Sequence, residues 1–217
     1  MKRYISEFTC SFALIFFGTG AIIASQYYGN VISGTGISMI FGVLIMVLVC
    51  IFGGISGCHM NPAVTLGFAL MGDFPKRDIL PYIFSQFSGA ITASLLLKTM
   101  FPQNNTLGAT LPSGNVFWVF AVEIALTLIL MLVIIHSSRR GIIVAGIAIG
   151  ATVMIEAMIA GSFSGASMNP IRSFAPALIS GNLENVWIYL TAPVIGAMLG
   201  VPQLYRKRLH KQVEIEL

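Results

Sequence analysis

The sequence predicts an all-α membrane protein in which six transmembrane helices and two re-entrant half-helices form an inverted repeat of three plus three. Composition is the first observation: 56% of the 217 residues are hydrophobic and only 9% are charged, against roughly 25% charged in a soluble globular domain. The second is the recurrence of apolar runs near the roughly 20 residues that cross a bilayer. The third is a segment of the first half that returns in the second half.

Six apolar runs are long enough to cross the membrane, at about residues 5–26, 35–55, 79–100, 115–136, 142–161 and 184–205. Two further runs, at about 61–71 and 169–179, are only roughly ten residues long and cannot cross hydrocarbon as helices. We expect these two runs either to enter the membrane and stop or to lie at its surface. Because no connection is long enough to separate domains, residues 1–217 are predicted to form one membrane domain.

The internal repeat appears when residues 41–70 are aligned with residues 149–178, at a fixed offset of 108. The identical pairs are Gly42 and Gly150, Met46 and Met154, Ile51 and Ile159, Gly53 and Gly161, Ser56 and Ser164, Gly57 and Gly165, Met60 and Met168, Asn61 and Asn169, Pro62 and Pro170, Ala69 and Ala177, and Leu70 and Leu178. This alignment predicts two repeats, over about residues 1–108 and 109–217. Since each repeat holds three spans, the second copy enters the membrane from the opposite side, and the two short runs meet from opposite faces.

The basic residues indicate the orientation, because Lys and Arg stay disproportionately in cytoplasmic loops. Those that fall on one side of the six-span arrangement are Lys2, Arg3, Lys76, Arg77, Arg139, Arg140, Arg206, Lys207, Arg208 and Lys211. We expect that side and both termini to be cytoplasmic, with the chain in the cell's inner membrane. The net charge of +4 and the pI of 9.1 do not indicate nucleic-acid binding, because the basic residues form short clusters between apolar runs.

Catalytic and metal chemistry find no support in the sequence. Cys10, Cys50 and Cys58 are odd in number and form neither a CxxC pair nor a Cys/His ligand spacing, so no disulfide framework and no zinc site are expected. No nucleophile and base constellation is present, which argues against a membrane enzyme and against a cofactor. An ion-coupled transporter would ordinarily carry more ionisable groups within its spans.

Each short apolar run begins as a helix should. Pro62 and Pro170 suit the first helical position, where a missing N–H is harmless, and Asn61 and Asn169 before them suit the N-cap. The two helix N-termini would then face each other at the middle of the membrane. Their positive dipole ends repel cations, and the two Asn amides can donate hydrogen bonds to the oxygen of a passing solute.

The segments that lead into these half-helices are rich in Gly and Ser, at residues 53–59 and 161–167. Irregular backbone at membrane depth is tolerated only where it is buried in protein or lines a wet cavity. The two segments therefore predict a pore or a binding site between the half-helices.

The two motifs, with an Arg after the second and a Glu in the first and fourth spans, resemble the paired Asn-Pro-Ala motifs of aquaporins and glycerol facilitators, in a bacterial, water-channel-like form. The motif residues are Asn61, Pro62 and Ala63 in the first copy and Asn169, Pro170 and Ile171 in the second. The resemblance covers nearly the whole chain and implies the aquaporin-like fold. Ile171 stands where the family usually has Ala; this leaves the Asn donor intact and changes the packing between the half-helix tips.

The resemblance also implies an outer selectivity filter made of Phe41, Ala157, Ala166 and Arg172. An Arg in an apolar half-helix is costly unless it lines water, and here it would supply the fixed positive charge of the filter. In water-selective members the position of Ala157 often carries His, which narrows the opening. The Ala therefore predicts a wider filter.

The same resemblance assigns a role to Glu7 and Glu123, and three further residues are interpreted from their positions in the sequence. Glu7 and Glu123 match buried glutamates that accept hydrogen bonds from the half-helix loops, and His59 would contribute a carbonyl that lines the pore. Cys58 would face the cytoplasmic vestibule, or else pack as a small hydrophobic residue. Glu156 lies within the fifth span beside a filter position, and both a functional carboxyl and a hydrogen-bonded structural carboxyl remain open.

The resulting interpretation is a passive channel for water that excludes ions and protons, embedded in the lipid bilayer as a homotetramer, with tetramerisation implied by the resemblance alone. Ser173, Ala177 and Tyr189 resemble the water-channel side of the family. Leu190 and the small filter residues favour the alternative, a channel for glycerol or other small neutral solutes.

Overall fold

The computed structural model describes the backbone of residues 1–216 and the side chains of residues 1–201. Its first span consists of α1 (Lys2–Ala13), a π turn (Leu14–Thr19) and α2 (Gly20–Tyr27). The elements that follow are α3 (Gly34–Ser56), α4 (Pro62–Leu70), a 3-10 turn (Lys76–Asp78), α5 (Ile79–Met100), α6 (Val116–Ser137), a second 3-10 turn (Ser138–Arg140), α7 (Ile142–Ala160), α8 (Pro170–Ser180) and α9 (Val186–Glu216).

The predicted spans agree with these helices within three residues at every boundary except one. Among the described residues, five helical segments are long and apolar enough to cross a membrane, and α9 is apolar over Val186–Val201. The exception is the end of the last span, expected near residue 205, because α9 continues to Glu216. The side chains of the basic cluster at 206–211 lie outside the described residues.

The helices pack as an inverted repeat. The first span packs against α5, and its counterpart α6 packs against α9 in the same way. Each half-helix lies against the last span of the other half, α4 on α9 and α8 on α5, while α3 crosses α7 between the two halves. Every major contact thus has a partner under exchange of the halves, as an inverted-topology repeat requires.

Glycine permits the closest of these helix contacts. A Cβ on Gly89 would overlap the carbonyl oxygen of Phe8, and a Cβ on Gly196 would overlap the carbonyl oxygen of Ile124. Small residues let backbones approach in this manner within membranes, where dispersion and weak polar contacts replace the hydrophobic driving force. The matching close approaches, α5 on α1 and α9 on α6, hold the third span of each half on its first span.

Candidate functional site

Each half-helix begins at an Asn that caps it. The side-chain oxygen of Asn61 accepts a hydrogen bond from the backbone N–H of Ala63 at 2.9 Å, and that of Asn169 accepts one from Ile171 at 3.1 Å. Both Asn residues have extended backbone, and a Pro follows each at the first helical position. These caps satisfy N–H groups that a helix terminus otherwise leaves without a partner at membrane depth.

The same two Asn side chains also connect the two halves of the molecule. The Asn61 amide donates to the carbonyl oxygen of Met168 at 2.7 Å, and the Asn169 amide donates to the carbonyl oxygen of Met60 at 2.7 Å. A side-chain amide has two hydrogens. Each Asn therefore donates one amide hydrogen to the opposite loop and keeps the other, so each of the two Asn side chains still has one donor for a solute.

The lead-in loops, residues 57–60 and 165–168, hold an unusual backbone. Four of their non-glycine residues have positive φ: Cys58 at 50°, Met60 at 49°, Ala166 at 42° and Met168 at 52°. Such conformations cost of order 1–3 kcal/mol each and persist only where their surroundings enforce them. The residues pair at the repeat offset, Cys58 with Ala166 and Met60 with Met168, so both loops follow one design.

Glu7 holds the first lead-in loop. One of its carboxyl oxygens accepts hydrogen bonds from the Ser56 hydroxyl at 2.7 Å and from the His59 N–H at 2.9 Å. The other accepts from the Met60 N–H at 2.9 Å and from the Gln86 side chain at 2.8 Å. Hydrogen bonds to a charged group are worth about 1.5–3 kcal/mol each, enough to offset the strain of the positive-φ residues.

Glu123 does the same for the second lead-in loop. It accepts from the Ser164 hydroxyl at 2.8 Å, from the Ser167 N–H at 3.0 Å and from the Met168 N–H at 2.9 Å. Like Glu7, it is 0% exposed, and a carboxyl buried to that degree needs such partners. These hydrogen bonds support the scaffold role expected from the sequence, which remains a prediction.

A pair of tyrosines that the sequence analysis did not assign to the loops adds to this support. The Tyr82 hydroxyl donates to the carbonyl oxygen of Ser56 at 2.9 Å, and the Tyr189 hydroxyl donates to that of Ser164 at 2.7 Å. The signal was available, because these tyrosines are 107 residues apart, the same separation as Gly89 and Gly196.

A cavity of about 900 Å³ runs between the half-helices. Its lining includes Thr35 near the start of α3 and Gly53 near the end of that helix, positions that lie about 27 Å apart at 1.5 Å per residue. The expected site residues that line it are Phe41, Cys58, His59, Asn61, Ala157, Ala166, Asn169 and Arg172. The cavity thus extends along most of the membrane depth and collects residues from both repeats.

Arg172 has two partners within this cavity. Its guanidinium donates to the carbonyl oxygen of Gly108 at 2.8 Å, and its Cζ lies 5.2 Å from the centre of the Phe41 ring. Gly108 belongs to the connection between α5 and α6, which folds inward far enough that Leu107 is fully buried. The sequence predicted only a turn-rich connection there, and no motif indicated that it would hold Arg172.

The remaining motif residues divide between the cavity and the helix packing. Ile171 is fully buried in a separate cluster with Ile15 and Ala90, so its extra bulk fills a gap against the first and third spans. The His59 ring stacks on Phe68 with centroids 5.1 Å apart. Cys58 lines the cavity and is also packed in the core, with 4% exposure; its place in a cytoplasmic vestibule remains a prediction.

Glu156 differs from the two loop-supporting carboxyls. It is 5% exposed, and neither of its oxygens has a hydrogen-bond partner among the described residues. It lies next to Ala157 in α7 but does not belong to the cavity lining. The structure therefore does not show the hydrogen-bonded carboxyl that was one of the two expectations.

Membrane-spanning helices around a continuous cavity, with two capped half-helices meeting inside it, define a membrane channel. The family model described as Major intrinsic protein matches residues 1–203. Aquaporin NIP1-1 of Zea mays is 40% identical over 204 residues, covering 92% of this chain and 72% of the relative. Nodulin-26 of Glycine max is 39% identical over 204 residues, covering 92% and 75%.

A solved structure shares the fold. The aquaglyceroporin of Plasmodium falciparum superposes with a TM-score of 0.87 at 22% identity, covering 99% of this chain and 98% of that one. The chain belongs to the major intrinsic protein family. It is accordingly a six-span, multi-pass membrane channel with the aquaporin fold, and not an enzyme, as the sequence predicted.

Glu7→Gln should destabilise the protein while Glu156→Gln should change its stability little. The amide puts an NH2 group where an oxygen of Glu7 accepts from N–H donors, and each buried donor left unsatisfied costs about 1–3 kcal/mol. The apparent melting temperature in detergent should fall by about 4–10 °C for Glu7→Gln. Equal shifts in the two variants would contradict the assigned scaffold role, because the Glu156 oxygens have no hydrogen bond from the described residues to lose.

Proposed function

We propose that this chain is a passive water channel that excludes ions and protons. The observation that carries the proposal is that Arg172, whose guanidinium carbon lies 5.2 Å from the centre of the Phe41 ring, lines one cavity together with Phe41, Ala157 and Ala166. A guanidinium donor beside an apolar ring suits a neutral solute that accepts hydrogen bonds. The maize relative also carries the name aquaporin.

Exclusion of cations rests on three centres of positive charge that line the cavity. Two helix N-termini, at Asn61 and Asn169, line the cavity, and each has the equivalent of roughly half a positive charge. Arg172 adds a full positive charge, 7% exposed, on the same lining. A cation would lose its water shell while approaching three centres of its own sign.

A second candidate cargo is glycerol or another small neutral solute. Ala157 and Ala166, which line the same cavity as Arg172, contribute no more than a methyl group each to its wall. The opposite side is the ring of Phe41, which offers an apolar surface to a carbon backbone, while Arg172 offers donors to hydroxyl groups. The same geometry that passes water therefore supports a wider range of neutral solutes.

We further propose an inner-membrane homotetramer with both termini in the cytoplasm. Arg3 pairs with Asp78 at 3.0 Å and Arg139 lies 3.7 Å from Asp73, which supports a common side for three basic segments. An impermeant reagent that labels an N-terminal tag in intact cells would contradict this orientation. A mass in detergent equal to one chain would contradict the tetramer.

The function is tested with purified protein in lipid vesicles, by light scattering after an osmotic shock. An impermeant solute measures water efflux, and a glycerol gradient measures glycerol uptake. We expect water permeability well above that of protein-free vesicles. Protein that is folded and inserted but gives no increase would contradict the water channel, and glycerol uptake equal to that of empty vesicles would remove the second candidate.

Arg172→Val should leave water permeability largely intact and let protons or cations through. A unit charge about 4 Å away is worth roughly 1–4 kcal/mol between water and a partly buried site, so leak should rise roughly fivefold or more. A pH-sensitive dye inside the vesicles measures the leak. Arg140→Val removes an exposed charge outside the cavity lining and serves as the control; an unchanged leak for Arg172→Val argues against its role in exclusion.

Ala157→His should reduce glycerol uptake more than water efflux, because an imidazole narrows the cavity that this residue lines together with Arg172 and Phe41. Discrimination by size in a tight apolar opening reaches about tenfold for a single methylene, and the larger ring should do at least as much. The ratio of the two permeabilities is the readout. A proportional loss of both would show that Ala157 does not form the filter.

A further inference from the structure

The first span contains an irregularity directly behind the proposed filter. Its helix is interrupted by the π turn (Leu14–Thr19), a feature that inserts an extra residue into an α-helix and frequently marks functional sites. Neither the span prediction nor the motif resemblance used this turn. Two of its residues, Gly18 and Thr19, are buried.

Gly18 lies against the ring of Phe41. A Cβ built on Gly18 would stand 2.5 Å from Cε1 and 2.7 Å from Cζ of that ring, whereas carbon atoms in favourable contact are about 3.5–4.0 Å apart. The Phe41 ring therefore occupies space that glycine leaves free. Arg172 approaches the same ring at 5.2 Å, so the ring is held between the π turn and the guanidinium.

The neighbouring residue of the turn supports Arg172 as well. Gly108 packs on Thr19 so closely that a Cβ on Gly108 would lie 3.1 Å from the Cβ of Thr19. The carbonyl oxygen of Gly108 accepts the hydrogen bond from Arg172 at 2.8 Å. The π turn thus contacts the Phe41 ring directly, and it supports Arg172 indirectly, through Gly108.

We propose that Gly18 is a positioning residue that sets the width of the filter. Because Gly18 has no side chain, the Phe41 ring can lie against the π turn and not further into the cavity that Phe41 and Arg172 both line, which leaves a wider passage for a solute. The inference rests on the proposed function, since it assumes that Phe41 and Arg172 form the filter. It goes beyond that function by assigning the aperture to a residue that does not line the cavity.

The test is Gly18→Ala in the vesicle assay. The added methyl group must displace the Phe41 ring by about 1 Å to restore ordinary contact, and a ring displaced away from the π turn narrows the cavity that it lines. Glycerol uptake should fall about tenfold, and water efflux should fall less than twofold. The control is Gly20→Ala, two residues along the same span, where the Cβ would be 3.2 Å from the end of the Leu97 side chain; its ratio of permeabilities should equal that of the wild type.

Two further variants separate this inference from the function it rests on. Phe41→Ala should raise glycerol uptake relative to water; an unchanged ratio there would overturn the filter assignment itself. If Phe41→Ala changes the ratio and Gly18→Ala does not, the filter stands and the role of Gly18 is wrong. The double variant Gly18→Ala with Phe41→Leu should regain glycerol uptake. If Gly18→Ala alone misfolds, the double variant should also regain folding. A double variant that regains neither would show that the contact between residues 18 and 41 is not the cause.

Discussion

Backbone polar groups inside a bilayer have no water to pair with, so any stretch that leaves the helical pattern must find partners within the protein. In this channel two buried carboxyls provide them. Glu7 and Glu123 each stand on the first helix of a repeat and accept hydrogen bonds from the N–H groups of a lead-in loop. The position of the loops, and with them the half-helices and the cavity, therefore depends on where α1 and α6 lie in the bundle.

The loops are also strained, and their strained conformations allow each half-helix to begin inside the protein. Four non-glycine residues with positive φ turn two short segments sharply enough for a helix to begin in the middle of the membrane. Hydrogen bonds to the two carboxyls offset the strain of that geometry. The hydroxyls of Tyr82 and Tyr189 donate to the carbonyl oxygen of the residue before each loop. A rigid backbone is what a selective opening requires, because a filter that relaxed by 1 Å would no longer separate solutes by size.

The sequence predicts the structure well where the information is local or repeated. Helix boundaries follow from apolar length, the half-helices from Asn-Pro caps, and the exchange of halves from an offset of 108 that needs no structure to detect. The family resemblance, and not local pattern, named Phe41, Ala157, Ala166 and Arg172, and all four line one cavity. Their roles in selectivity remain predictions.

What sequence could not supply was contact between segments without a shared pattern. Gly108 lies in a connection with no recognisable motif and yet holds Arg172. The π turn depends on one additional residue within a uniformly apolar run, which hydropathy cannot register. The surroundings of Ile171 and Glu156 depend on which neighbours the fold brings near, and the hydrogen bonds that cross between the Asn residues and the opposite loops follow from packing of the whole bundle.

Those crossed bonds have a consequence for how the chain is made. Asn61 donates to the carbonyl oxygen of Met168, and Met60 accepts from Asn169, so each partner lies more than a hundred residues away. A ribosome delivers the first half to the membrane long before the second exists. During that interval the amide of Asn61 and the carbonyl of Met60 lack these partners, so the crossed hydrogen bonds that join the two half-helices form only once the second half has been inserted.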